Sequence, residues 1–292
     1  MSLQRIAAIT LNPLEDNAYT AVIDQPNGFA YFATSVAPGR LVKIRLSDFT
    51  RVGSISMMPA EELQTCAVID QPNGFAYFGT TYNPRNIIKV RLSDFTRIDQ
   101  IALDVGERDP YSAVIDQPNG FAYFGSQASP ARVVKIQLSD FTRVGAITLN
   151  AGEDNLYSAV IDQPNGFAYF GTNTAPGKII KVRLSDFTRV GAITLNAGED
   201  NLYSAVIDQP NGFAYFGTNT TPGKILTINL TAFSRQDALT LASGENNPAS
   251  AVIDQPNGFA YFGTVTAPAI IIKLGQEAPA AGIQYLPLVG IG

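Results

Sequence analysis

The chain contains no histidine, no tryptophan and one cysteine, Cys66. A single cysteine allows no disulfide within the chain, so cysteine usage says nothing about compartment. Without histidine, Ser-His-Asp and Cys-His catalytic sets are excluded, as are zinc sites built on imidazole. Charge is sparse: Asp, Glu, Lys and Arg make up 15% of the 292 residues, with a net charge of −5. About a quarter is usual. Much of the surface must therefore be hydroxyl, amide and backbone, which suits sheets and turns better than long exposed helices. The acidic balance leaves no basic footprint and argues against nucleic acid or an anionic membrane as partner. The opening MSLQRIAAIT lacks the regions of a signal peptide, and no run reaches transmembrane length. No membrane insertion is expected.

What the chain does have is repetition. AVIDQPNGFAYF begins at Ala21, Ala67, Ala113, Ala159, Ala205 and Ala251, always 46 residues apart. Arg5, Arg51, Arg97, Arg143, Arg189 and Arg235 share another phase, and residues 143–174 and 189–220 are identical. A strict period of this length marks a propeller, a solenoid or an array. The content of one unit decides between them. From Arg143, RVGAITL alternates and is rich in β-branched residues, and NAGEDNLY is turn-like. SAVID is a short strand, QPNG carries the Asn-Gly hairpin signal, and FAYFGT is an aromatic strand. Phe167 and Tyr169 fall on one face of it, Ala168 and Phe170 on the other. After NTAPG comes KIIKVRLS, and SDFT turns the chain into the next unit. Four short strands with no helical period, in roughly 40–50 residues, are one propeller blade.

The sequence therefore predicts an all-β, six-bladed β-propeller over residues 1–275, followed by a tail or linker at 276–292. The last unit supplies strands at 250–254, 259–264 and 269–275, and RIAAITL at 5–11 is its missing fourth strand. That N-terminal strand is expected to complete the sixth blade and remove two open edges. The tail segment GIQYLPL, with Pro287 in it, matches a fourth strand poorly. It is expected to pack on the rim or to reach another molecule, which makes self-association through the tail a candidate.

The stretch SAVIDQPNGFAYFGT…KIIKVRLSDFTRVGAITL resembles the YVTN-type β-propeller repeat of bacterial and archaeal surface proteins. NGFAYFGTN (165–173) stands for that repeat's turn and aromatic strand, and IIKVRLSDFTRVGAITLNAGE (179–199) for the rest. YFGT replaces the name-giving tetrapeptide, and the period is longer than the commonest one in that family. The resemblance implies a secreted or cell-surface location and a binding or scaffolding role. It brings no catalytic motif.

Turns on one side of the ring, DQPNG and SDFT, barely vary, whereas the loops on the other side do: TTYNPRN, SQASPAR and TNTAPGK are examples. The varied face is expected to carry recognition. Unit two is the most distinctive there, and Tyr82, Asn83, Arg85, Glu61 and Glu62 form the candidate ligand-binding patch, offering a ring, a guanidinium fork and amides. Glu15, Glu61, Glu107, Glu153, Glu199 and Glu245 each precede an innermost strand and are expected to ring the channel mouth. As free carboxylates they would concentrate cations, Ca²⁺ among them. As structural groups they would accept backbone N–H bonds or pair with Arg40, Arg132, Lys178 or Lys224. The Asp of each DQPNG reads as a turn-forming acceptor rather than half of a hydrolytic pair, and Cys66 as a buried inert thiol.

No catalytic residue and no cofactor are assigned, because the carboxylates are uniform from unit to unit while one transition state needs distinct acid and base. The leading expectation is a non-enzymatic interaction or scaffold module with a protein or glycan partner. A carbohydrate-binding propeller is the alternative, and a carboxylate- or metal-dependent hydrolase or lyase the third reading.

Overall fold

The computed structural model describes residues 7–36, 38–59, 61, 64–81 and 85–275. They form 23 strands and one short 3₁₀ turn, Gln255–Asn257, gathered into six antiparallel sheets. The protein is a six-bladed β-propeller. Blade one runs Ala18–Asp24, Phe29–Thr34, Arg40–Arg45 and Thr50–Ser56, from the innermost strand to the outermost. Blades two to five repeat this order with four strands each.

The turns explain why the units fold alike. In blade four Asp162 pairs with Phe167 across QPNG, and the Gly166 N–H returns to the Gln163 carbonyl at 3.1 Å. Gly166 sits at φ 71°, a conformation that costs glycine nothing. In SDFT it is the phenylalanine that takes the left-handed conformation, Phe141 and Phe187 both at φ 51°. That is costly for a bulky residue, and aromatic contact offsets it. Phe141 lies 5.6 Å from the ring of Tyr77 and Phe187 5.6 Å from Tyr123, each a tyrosine of the preceding blade.

Core residues are divided among five clusters, one between each pair of consecutive blades. Alternation along a strand assigns side chains to the left or right neighbour. Ala168 and Phe170 pack toward blade three, and Phe167 and Tyr169 toward blade five. The innermost strands are also stapled across the gaps. Ser112 Oγ donates to the Leu156 carbonyl at 3.0 Å, and Ser158 Oγ to that of Leu202 at 2.9 Å. On the opposite side Gln117 Nε2 reaches the Ile69 carbonyl, and Gln163 Nε2 that of Ile115.

The ends depart from expectation. Blade six has three strands among the described residues: Pro248–Asp254, Phe259–Thr264 and Ile271–Gly275. Residues 7–12 carry no strand, so the expected clasp over 5–11 is not formed by its described part; residues 5 and 6 lie outside the described residues. The packing gives the physical reason. Innermost strands of consecutive blades pack against one another from blade one to blade six, but that of blade six does not pack in this way on blade one. Val252 and Ile271 on the last blade are 65% and 62% exposed, whereas their equivalents Val206 and Ile225 are 7% and 3% exposed. An edge without a covered face gives a fourth strand little apolar surface to bury. The tail 276–292 lies outside the described residues.

Candidate functional site

The glutamates are the most regular polar feature, and they do not form an open ring. Glu15, Glu61, Glu107, Glu153 and Glu199 are all buried. Each accepts a guanidinium from an arginine 36 residues further on, in the outermost strand of the blade it leads into: Arg51, Arg97, Arg143, Arg189 and Arg235. Each also takes a backbone N–H three residues back, as Glu107 Oε2 does from Asp104 at 3.0 Å. The carboxylates are therefore occupied by these contacts and are not free to concentrate cations as an unpaired ring would. The expected partners Arg40, Arg132, Lys178 and Lys224 are not the ones used. The Arg51 hydrogen bond holds the Glu15 carboxyl down at about 2. Burial pushes Glu153 up, but Arg189 and the Asn150 N–H outweigh it and leave the group lowered. Glu245 is half-buried and accepts the Ala242 N–H, with no arginine partner among the described residues.

The turn aspartates are structural as well. Asp24, Asp70, Asp116, Asp162 and Asp208 are buried and accept the side-chain amide of the Asn three residues on; the Asn165–Asp162 bonds are 2.8 and 3.1 Å. Asp140 and Asp186 of SDFT hold the hydroxyls of Thr142 and Thr188.

Of the expected patch in unit two, Glu62, Tyr82 and Asn83 lie outside the described residues. Glu61 is buried under Arg97, and Arg85 donates to Asp109 of the next blade at 2.5 Å. Glu61 and Arg85 therefore serve different contacts.

Cys66 is buried, donates Sγ to the Pro110 carbonyl at 3.0 Å, and takes the place that serine has in blades three to five. Burial pushes its thiol up to about 12. Native protein at pH 8 should therefore resist iodoacetamide for hours, and the same protein in guanidinium should label within minutes. Fast native labelling would show that the junction between blades two and three opens.

The varied face does carry a cavity. It measures about 580 Å³ and lies where unit three departs most from its neighbours, with Arg108, Gln127, Arg132, Thr148 and Asn155 in its wall. Arg108 is exposed and makes no ion pair among the described residues, while Arg132 Nη1 donates to the Val105 carbonyl at 3.2 Å. The adjacent innermost strands bring tyrosines together: Tyr111 stacks on Tyr157 at 4.6 Å, Tyr203 follows at 5.1 Å, and Gln127 Nε2 donates to Tyr157 Oη at 2.7 Å. This row was not among the expected site residues; its signal in the sequence is a tyrosine at the second position of LYSAVID and PYSAVID. Among the described residues no three Cys, Asp or Glu side chains converge as a metal-holding group. No protein-family model and no curated protein matches this chain.

Proposed function

We propose that this propeller is a non-enzymatic interaction module that engages a partner protein through its varied-loop face. The observation that carries the reading is the 580 Å³ cavity at blade three, whose lining includes Arg108, Gln127, Ala128 and Ser129, residues in which that unit differs from all the others. Its two arginines outnumber its one aspartate, and that aspartate, Asp109, is already held by Arg85. Guanidinium groups at the mouth of a concave polar site favour a carboxylate-bearing partner. The surface location implied by the YVTN-type resemblance belongs to the same proposal. Support also comes from the repeated carboxylates: among the described residues Glu107 and its buried equivalents are held in ion pairs and Asp162 and its equivalents in turns.

The test is a printed array of acidic peptides probed with the whole chain and with an Arg108→Ser/Arg132→Ser variant. Peptide binding that weakens at least about tenfold in the variant is expected, since two charge-assisted contacts are lost. Binding indifferent to the variant, or turnover of chromogenic esters or glycosides by the wild-type chain, would sink the reading.

A further inference from the structure

The other face of the ring, built from the near-invariant turns, holds a second kind of site. We propose that four crevices between neighbouring blades bind a neutral polyol of monosaccharide size, with Lys43, Lys89, Lys135 and Lys181 as the donors. The reading stands apart from the one above, because it uses different residues on the opposite face.

The first observation is four largely buried lysines whose ammonium groups have no polar partner among the described residues and are reached only at the crevice mouth. Lys43, Lys89, Lys135 and Lys181 are 8, 8, 8 and 9% exposed. None makes a hydrogen bond or ion pair among the described residues. Each Nζ instead lies over a phenylalanine ring of its own blade: 3.9 Å from Phe29, 4.1 Å from Phe75, 3.8 Å from Phe121 and 3.9 Å from Phe167. A ring face compensates a desolvated ammonium only in part, and its N–H donors still call for oxygen. Burial accordingly pushes the Lys135 and Lys181 ammonium groups down.

The second observation is independent. Tyr31, Tyr77, Tyr123 and Tyr169 are fully buried, and each hydroxyl lacks a hydrogen-bond partner. In every case the tyrosine belongs to the same blade as the lysine, with Nζ 5.5 to 5.9 Å from its ring centre. Buried hydroxyls are seldom left unbonded, and a fourfold repeat of the same omission asks for an explanation.

The third is space. Between blades four and five, Tyr169, Lys181, Asp162 and Phe167 open onto a cavity of about 240 Å³, walled on the far side by Leu230 and Thr231. Between blades three and four, Lys135, Asp116 and Phe121 open onto one of about 260 Å³, walled by Leu184 and Ser185. A single water needs only about 10–15 Å³ on this kind of measure, so these crevices suit a larger guest.

Charge selects the guest. Each crevice pairs one ammonium with one carboxylate, and the carboxylate keeps acceptor capacity after bonding Asn165 or Asn119. An anion would meet the aspartate, and a cation would meet the lysine. A molecule with several hydroxyls accepts from the ammonium while donating to the carboxylate, and between blades four and five the Tyr169 phenol lines the same cavity as a further donor. Unit five supplies a natural comparison. Thr227 stands where the lysine would be, and its cavity is smaller, at about 170 Å³. In unit six Lys273 lies 3.5 Å from the Phe259 ring centre but is exposed, with no following blade to wall it. That leaves four lysines covered by a following blade, two of which, Lys135 and Lys181, open onto the cavities described, and the repeat extends the same arrangement to Lys43 and Lys89.

Titration calorimetry on the full chain tests this with the methyl glycosides of glucose, galactose, mannose and fucose, and with sodium acetate and sodium phosphate as anion probes. Saturable binding of at least one glycoside, at about four per chain, is expected from the four crevices. Lys135→Met/Lys181→Met should halve that stoichiometry with the circular dichroism spectrum unchanged, and Thr227→Lys should raise it by about one. A chain that saturates with no glycoside overturns the proposal whatever the variants do. So does saturation by acetate or phosphate alone, or a glycoside stoichiometry that the double lysine variant leaves intact.

Discussion

Ile179→Ala should destabilise the protein by about 2–5 kcal/mol, while Ile271→Ala should change it by no more than about 0.5 kcal/mol. The two isoleucines occupy the same position in two copies of one strand, KII in unit four and III in unit six. Ile179 is fully buried in the cluster shared by blades four and five, where a shortened side chain leaves a cavity among Leu202, Phe216 and Leu226. Ile271 faces outward from the last blade and is 62% exposed, so its truncation removes little packed surface. Denaturant midpoints of the two variants, taken side by side, check the contrast. Equal and large losses would mean that blade six is covered in solution, by blade one or by another molecule.

A loss of about 3–5 kcal/mol is also expected for Arg143→Met, although the arginine itself is partly exposed. Its partner explains the size. Glu107 is fully buried, and Arg143 Nε donates to its Oε2 at 3.0 Å. Removing the guanidinium leaves the carboxylate with the Asp104 N–H and no countercharge. Adding Glu107→Gln to the same variant should recover more than half of the loss, because the stranded charge is then gone while the backbone hydrogen bond can persist. An isolated surface pair would give a deficit below about 1 kcal/mol and no recovery. Unfolding curves of the wild type, both single variants and the double variant form the cycle that separates these outcomes.

The sequence made the blade legible because its signals are local and agree with one another. QPNG and SDFT mark turns at fixed offsets, and the runs between them alternate. The polar sites were read less well, for a reason tied to the same architecture. Both faces of a blade are covered, so alternation distinguishes one neighbour from the other and does not separate inside from outside. Lys181 within KIIKVR looks like the solvent side of a half-buried strand, yet it ends beneath the next blade. The glutamate phase was visible, and so was the arginine phase. That Glu107 should meet Arg143 across 36 residues depends on how the entering loop lies over its blade, which no spacing reveals. Closure of the ring by residues 5–11 rested on phase alone, and phase cannot tell whether the two end faces lie close enough to meet.

Splitting the core into five separate clusters also bears on how such a gene can change. Every junction joins the same right-hand face to the same left-hand face, so inserting or deleting one 46-residue copy rebuilds a junction that already exists. No compensating substitution is needed elsewhere, and unequal recombination between copies yields products that still pack. The identical stretches 143–174 and 189–220 fit a lineage that has lengthened in this way. Copy number can thus be a heritable variable in its own right, tuned by replication errors rather than by point mutation.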